Sequence, residues 1–536
     1  MKLDNFPPLP NMGRLDDVVR AAYRTAFLDA LNDGRAKPLL IPYSILAASI
    51  LPSLWLAIPH TSRPWVYQTR WLVMAFVICF NGHIMRTASS TNFAWAYATG
   101  LMASWGTIMA MNLLIWTRPQ FDAARAIKVK VAKKKAMNGN SDNGTAGENG
   151  VRLRNGHANT ASHKENGTKD DIKEEDQYIW QKFPEEGTLS ERLGWAFDLS
   201  CSFRGAGWNH SITSIPRPTI PSPIQPSSPV AIATIPPKSS SGYALTLSES
   251  ELLRSRITRV LYSYLILDLL SVIMMRDPYF ILGPDNHYTV PSHLNLPTPI
   301  LLLYRECLPL AGIWAALCGA FGLNDIVQYF FLRQYSPSRA ALWHYPSTFG
   351  SFCMILNRGL AGWWGASWHQ TFRLGLLGPS TYLLRKGYMK RGSATANAVG
   401  LFVSFLQSGL MHAAGSLTSI PDTKLWRSIL FFLLQAVGII LQQQLALYLS
   451  KYMGTPSKYM RRTGNLLFCL VWLYITAPLF IDDLSSTGLW MFEPVPISPL
   501  RYFGFGFPGD HWWRWDREAW PKLYPVRHWW EIGIAL

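Results

Sequence analysis

Charge is scarce in this chain. Charged residues fill 15% of its 536 positions, whereas a soluble protein averages about 25%. With 49% apolar residues beside that deficit, the composition weighs against a soluble enzyme and for a chain built into a bilayer. Paired cysteine motifs are missing as well. Cys79, Cys201, Cys307, Cys318, Cys353 and Cys469 form no C-x-x-C pair, so neither a zinc site nor a disulfide framework is expected. Four of them lie in or beside apolar segments, where cysteine behaves as a small hydrophobe. Acidic residues are the scarcer sign, leaving a formal net charge of +17. The basic residues are scattered through loops between apolar segments, as the positive-inside bias of membrane proteins produces. They do not gather on one polar domain, and no nucleic-acid motif accompanies them. The start, MKLDNFPPLPNMGRLDD, is polar and broken by proline. It lacks the apolar core of a cleavable signal peptide, so the first apolar helix is expected to target the chain. No G-x-S-x-G elbow, P-loop or H-E-x-x-H occurs, and no internal repeat of the kind many transporters carry.

What is present is long apolar runs. A bilayer crossing takes about 20 mostly apolar residues. Such runs lie at about 39–58, 65–82 and 93–116, the last without a single charge. Others follow at about 257–275, 308–332, 394–417, 429–449 and 466–481. Many of the 23 tryptophans border them, where indole rings settle at headgroup level. Backbone groups in lipid must be satisfied within the segment, so helices are the default. The expected fold is an all-α polytopic membrane protein of about eight to nine transmembrane helices, with re-entrant or interfacial helices around 350–385.

The chain divides by composition. Residues 1–36 read as a polar N-terminal segment and 37–116 as the first three transmembrane helices. Residues 117–182 read as a basic cytosolic loop containing KVKVAKKK, disordered over 136–175 because it has too little apolar surface to fold. Asn143 and Asn166 stand in N-x-T sequons there, but the neighbouring lysine run places them on the cytosolic side, unmodified. Residues 183–213 read as an interfacial amphipathic segment, with Leu189, Leu193, Phe197 and Leu199 near one face and Arg192 and Asp198 off it. Residues 214–250 are rich in proline and serine and read as an extended linker. Residues 251–485 are the membrane core, and 486–536 an aromatic tail.

Two histidines carry the candidate chemistry. His412 lies in NAVGLFVSFLQSGLMHAAG, an apolar run with no charge. An ionisable residue inside a membrane segment is costly and points to function; the bland reading is a neutral histidine held by a neighbouring helix. His369 lies 43 residues earlier in WWGASWHQTFR. Alone, that stretch is an aromatic interfacial belt with a snorkelling arginine. Together, the two imidazoles suit a buried cavity in which one takes a proton from an alcohol. The other would orient a substrate or support a developing oxyanion. No covalent nucleophile stands out, which favours direct transfer to an acceptor. No metal site and no bound cofactor are expected.

WWGASWHQTFR resembles the FW-x-x-x-WHQ-x-x-R signature of the wax synthase-like branch of membrane-bound O-acyltransferases, through Trp364, Trp368, His369, Gln370 and Arg373. The preceding WHYPSTFGSF is similar to the segment that leads into that signature, and His412 falls where the family keeps a second histidine inside an apolar helix. NLLIWTRPQFDAAR and LSERLGWAFDLSCSFRGAGW resemble fungal members, many of which act in secondary metabolism. The resemblance spans about residues 40–480, apart from the polar insert and the proline tract. It implies acyl transfer from acyl-CoA to a hydroxyl, with His412 as base, His369 assisting, and Trp364, Trp368, Gln370 and Arg373 contacting substrate or donor. Anionic CoA phosphates would suit Arg373, Arg385, Lys386, Lys390 and Arg391 at a cytosolic mouth, although the positive-inside rule alone accounts for these five equally well. Gly365 and Ala366 stand where charged residues are common in the family. The resemblance further implies acetyl-CoA as co-substrate, a lipophilic alcohol such as a terpenoid or meroterpenoid as acceptor, membrane lipid as surroundings, and the endoplasmic reticulum as location. A long-chain wax or sterol ester synthase is the nearest alternative. A transporter, with Asp268, Asn324, Asp325 and His412 lining a path, is the alternative of a different class.

Overall fold

The structure is a computed structural model that describes residues 14–132, 174–335, 337–454, 456–515, 520–524, 528 and 531–536. Helix α1 (Leu15–Asn32) opens with Asp16 and Asp17 in its first turn, where carboxylates face the positive end of the helix dipole. Val19, Tyr23, Phe27 and Ala30 form its buried stripe. They join a core cluster with Phe93, Phe280, Ile481 and Met491. The described part of the segment expected to be simply polar is therefore an amphipathic helix docked on the membrane core.

The run expected to cross at 39–58 is broken into 3-10, π and α turns over Tyr43–Leu56. Helix α2 (Arg70–Thr87) covers most of the second expected span. Helix α3 (Phe93–Met111) starts at Asn92, whose side chain accepts from the backbone N–H groups of Ala94 and Trp95, an N-cap. It continues through a π turn to Trp116.

Strands β1 (Arg125–Ala132) and β2 (Glu174–Gln181) pair antiparallel, with Ala126 opposite Trp180 and Lys128 opposite Tyr178. The ends of the expected cytosolic loop are thus a sheet, and residues 174 and 175 lie in β2. The rest of the stretch expected to be disordered, with both sequons, falls outside the described residues. The proline-serine tract is not a free linker. Trp180 N–H donates to Ser228 O and Val230 N–H to Tyr178 O, laying the tract along β2. Val230 and Tyr243 are buried, because the apolar residues between its prolines have a surface to cover.

Helix α4 (Leu189–Cys201) carries a capping box between Thr188 and Glu191, the signature that starts a helix at this place. Its buried side holds Trp195, Ala196, Asp198 and Leu199, while Leu189 and Phe197 are exposed. The expected face is therefore rotated. Asp198 turns inward because Arg339 lies at 2.6 Å and Arg125 at 3.5 Å, and a paired charge is buried at far less cost than a lone one.

The membrane core follows. It contains α5 (Glu249–Met274), α6 (Thr298–Phe330), the short α7 (Cys353–Gly362), α8 (Arg373–Leu376) and α9 (Gly378–Arg385), then α10 (Ala394–Thr418), α11 (Trp426–Met453) and α12 (Lys458–Ser486). Among the described residues six helices are long and apolar enough to cross a membrane: α3, α5, α6, α10, α11 and α12. The expected count of eight to nine drops because Tyr43–Leu56 and α2 are shorter or less apolar. The aromatic tail is tied back to the bundle. Arg501 donates to Ser271 Oγ on α5 at 3.3 Å, and Asp268 accepts from Leu500 N–H at 3.0 Å.

At the crossing of α3 and α10 the backbones nearly touch. A Cβ on Gly100 would run into the carbonyl of Ala414, and one on Gly415 would press on the Tyr97 ring. The Thr418 hydroxyl accepts from Gly100 N–H at 3.0 Å and donates to Ala96 O at 2.7 Å, bridging an i, i+4 pair of α3. Small residues at such crossings let helices associate inside lipid, where the hydrophobic effect supplies no drive. Gly100→Ala is expected to cost about 1–3 kcal/mol through overpacking, read as a melting midpoint several degrees lower for the detergent-purified protein.

Candidate active site

WWGASWHQTFR leaves α7 as one π-helical turn, Trp363–Ser367, closed by Trp368 N–H donating to Trp363 O at 2.8 Å. Single π turns are frequent at functional sites. Gln370 fixes the loop that follows. Its buried amide donates to Trp364 O and Trp368 O, each at 2.9 Å, and its oxygen accepts from Arg373 Nη1 at 2.6 Å. The same Nη1 donates to Gly365 O at 2.6 Å. Gln370, expected to contact substrate or donor, is occupied in shaping the loop, and Arg373 is partly spent on it too. Trp364 donates its indole N–H to Gln435 Oε1 at 3.2 Å.

Two residues that sequence reading passed over complete the loop. Tyr243, from the proline-serine tract, donates its hydroxyl to Trp368 O at 2.9 Å. Arg204 is anchored on Ser347 O and Pro346 O at 2.9 and 3.2 Å, and its charge acts on His369. SFRGAGW, quoted above for its resemblance, held the signal for Arg204. Nothing in the tract's composition could single out Tyr243.

His369 sits among the rings of Trp368, Phe372, Phe321 and Phe349, with centroids 5.6 to 6.3 Å away. Burial, and then the Arg204 charge, pushes its imidazole down to about 4, so it is neutral at pH 7. Its Nδ1 is buried with no hydrogen-bond partner. His412 projects from α10 into a second aromatic cage. It stacks on Phe432 at 4.8 Å and meets the edge of Phe480 at 5.0 Å. Its Nδ1 lies 3.2 Å from the Tyr97 hydroxyl. Among the described residues neither Nε2 has a protein hydrogen bond, and both side chains are half-buried rather than sealed.

The structure brings these two histidines together. An aromatic wall runs between them, from Phe432 to Trp364 (6.1 Å) to Trp368 (6.2 Å) to His369 (5.6 Å). The arrangement is two imidazoles in aromatic surroundings, each with an Nε2 that makes no protein hydrogen bond among the described residues. Arg385, Lys386, Lys390 and Arg391 lie elsewhere, exposed where α9 gives way to α10. His412 is 18 residues into α10, about 27 Å deeper by helical rise. The path suggested for a transporter is dispersed. Asp325 pairs with Arg256 at 2.8 Å, Asp268 is held by the tail, and Asn324 is exposed and bonded to Gln328.

Residues 345–434, a stretch that includes both histidines, match the membrane bound O-acyl transferase family. That match, with the relatives that follow, supports an acyl-transferring membrane enzyme. This acyltransferase is 24% identical to acetyltransferase eriL of Hericium erinaceus over 324 residues, which cover 60% of its own length and 74% of that protein's. It is 27% identical to acetyltransferase ple2 of Rhodocybe pseudopiperita over 321 residues, 59% and 73% of the two chains. A shorter match, 36% over 84 residues, joins it to acetyltransferase spyB of Aspergillus fumigatus, covering 16% and 14%. No solved structure matches it significantly. Among the described residues no group of three or more His, Cys, Asp or Glu is placed to hold a metal ion, and all six cysteines are unpaired.

Tyr243→Phe removes the hydroxyl that fixes Trp368 O without emptying its packing site. Turnover by the acyltransferase is expected to fall about 3- to 10-fold, in keeping with one net hydrogen bond of about 1 kcal/mol. A paired measurement of initial rate and melting midpoint checks this, with the midpoint nearly unchanged.

Proposed function

We propose that this acyltransferase moves an acetyl group from acetyl-CoA to a hydroxyl of a lipophilic alcohol, a terpenoid or meroterpenoid of secondary metabolism. The observation that carries the reading is His412, a half-buried imidazole supported at Nδ1, unpaired at Nε2, and linked through an aromatic wall to a second histidine. The acetyl donor is drawn from the printed names of the relatives. The apolar acceptor is drawn from the aromatic lining of the site. Arg385, Lys386, Lys390 and Arg391, with the remaining edge of Arg373, suit the anionic phosphates of CoA at the cytosolic face of the endoplasmic reticulum membrane. The thioester then reaches down along α10 toward His412.

In the reaction, Nε2 of His412 takes the proton of the alcohol as its oxygen attacks the thioester carbonyl carbon. Electron density moves onto the carbonyl oxygen. His369, with Nδ1 bare, holds its proton on Nε2 and donates it to that oxygen in a hydrogen bond. The carbonyl re-forms, the C–S bond breaks, and the departing CoA thiolate recovers the proton from His412. One ester and one free thiol result. Trp364 and Trp368 keep bulk water from the thioester and so limit hydrolysis.

Purified protein with radiolabelled acetyl-CoA and a panel of alcohols tests the proposal. The panel includes geranylgeraniol, a cyclic diterpene alcohol, hexadecanol and a sterol. Labelled acetate ester of a terpenoid alcohol is expected. His412→Ala should lower the rate by about 10²- to 10⁴-fold, and His369→Ala by a smaller factor. Full activity in a correctly folded His412→Ala protein, or equal and mild losses from both substitutions, would overturn the mechanism. Transfer from palmitoyl-CoA to hexadecanol or the sterol in place of acetylation would reassign the acyltransferase as a storage-ester synthase.

A further inference from the structure

The polar groups behind His412 have no part in the reaction as written above. Tyr97 is buried on α3, its ring against Gly415, one turn beyond His412 on α10. The hydroxyl makes the contact to Nδ1 of His412 at 3.2 Å. Asp483 on α12 is fully buried. One of its carboxylate oxygens accepts from the hydroxyls of Ser416 and Ser428, and the other, Oδ1, has no partner. Ser416 stands four residues beyond His412 on α10, so the carboxylate lies one helical turn from the histidine's place in the chain. A carboxylate left half-satisfied inside a membrane protein is costly. Packing alone does not account for it, since serine partners serve only one side.

We propose that Tyr97 and Asp483 are positioning residues for His412, a hydroxyl and a carboxylate that fix its tautomer and balance the charge it gains. This inference rests on the acyl-transfer reading of His412. For Nε2 to accept a proton, Nδ1 must carry the other one, and the Tyr97 oxygen must then accept it. When the alcohol proton arrives at Nε2 the ring becomes a cation. The carboxylate of Asp483, with Oδ1 unpartnered, supplies the opposite charge within the same apolar region. Neither residue touches substrate. A third group that orients a catalytic histidine is a recurrent solution wherever the other ring nitrogen does the chemistry.

Tyr97→Phe is the clean test, since it keeps the ring on Gly415 and removes only the hydroxyl. In the acetyl-CoA assay, with the panel alcohol turned over fastest, kcat is expected to fall about 10- to 100-fold, as when the partner of a working histidine is lost. KM for acetyl-CoA and the melting midpoint should hardly move. In a His412→Ala background the same substitution should cost nothing further, because Tyr97 acts only through His412. Asp483→Asn should lower kcat in the same way with a smaller factor. Full kcat in Tyr97→Phe, an equal fold-loss in both backgrounds, or a loss that follows a drop in melting midpoint would overturn the inference. If His412→Ala is inactive while Tyr97→Phe runs at full rate, only the positioning role fails. If His412→Ala is active, the acyl-transfer reading fails and takes this one with it.

Discussion

Where α3 crosses α10, Gly100 and Gly415 leave no side chain between two helix backbones, and the Thr418 hydroxyl is shared with the α3 ladder. That spacing sets what can happen around His412. The Tyr97 ring fits over Gly415 only because no Cβ stands there, and only from that place does its hydroxyl reach Nδ1. α11 and α12 supply Phe432 and Phe480 as further walls around the imidazole. Close packing thus does what a hydrogen-bond network does in a wetter active site.

Away from the histidines many buried ions are paired, though Oδ1 of Asp268 and Oε1 of Glu306 have no hydrogen-bond partner. Arg256 meets Asp325, Arg305 grips Asp277 with two nitrogens at 2.8 Å each, and Asp198 has two arginines. Near the histidines the pairing is also incomplete, at Nδ1 of His369 and Oδ1 of Asp483. Unmatched polar atoms are costly in an apolar interior.

Much of this was legible in the sequence, for physical reasons. Apolar runs near bilayer length identify helices directly, and a histidine in an uncharged run stands out because its cost is plain. The WHQ-x-x-R element lies in the loop that holds His369 among aromatic rings. Gln370 was misjudged because residue type does not reveal that an amide is consumed by neighbouring carbonyls. Asp198 was placed on the wrong side of its helix because periodicity counts hydrophobicity and cannot see Arg125 and Arg339 arriving from distant segments. Tyr243 lay inside a stretch whose composition reads as linker, although its backbone is fastened to a strand. Tyr97 looked like one more aromatic in an apolar span, since its value comes from a contact 315 residues away along the chain.

The account turns on the acyl group meeting His412 between the two aromatic cages. A structure of the purified acyltransferase bound to a thioether analogue of acetyl-CoA that keeps the carbonyl would test this most directly. The account predicts the carbonyl carbon beside Nε2 of His412, its oxygen toward His369, and the CoA phosphates near the basic end of α9. An acyl group resolved elsewhere, with Phe432 and Phe480 still closed around an unvisited His412, would contradict it.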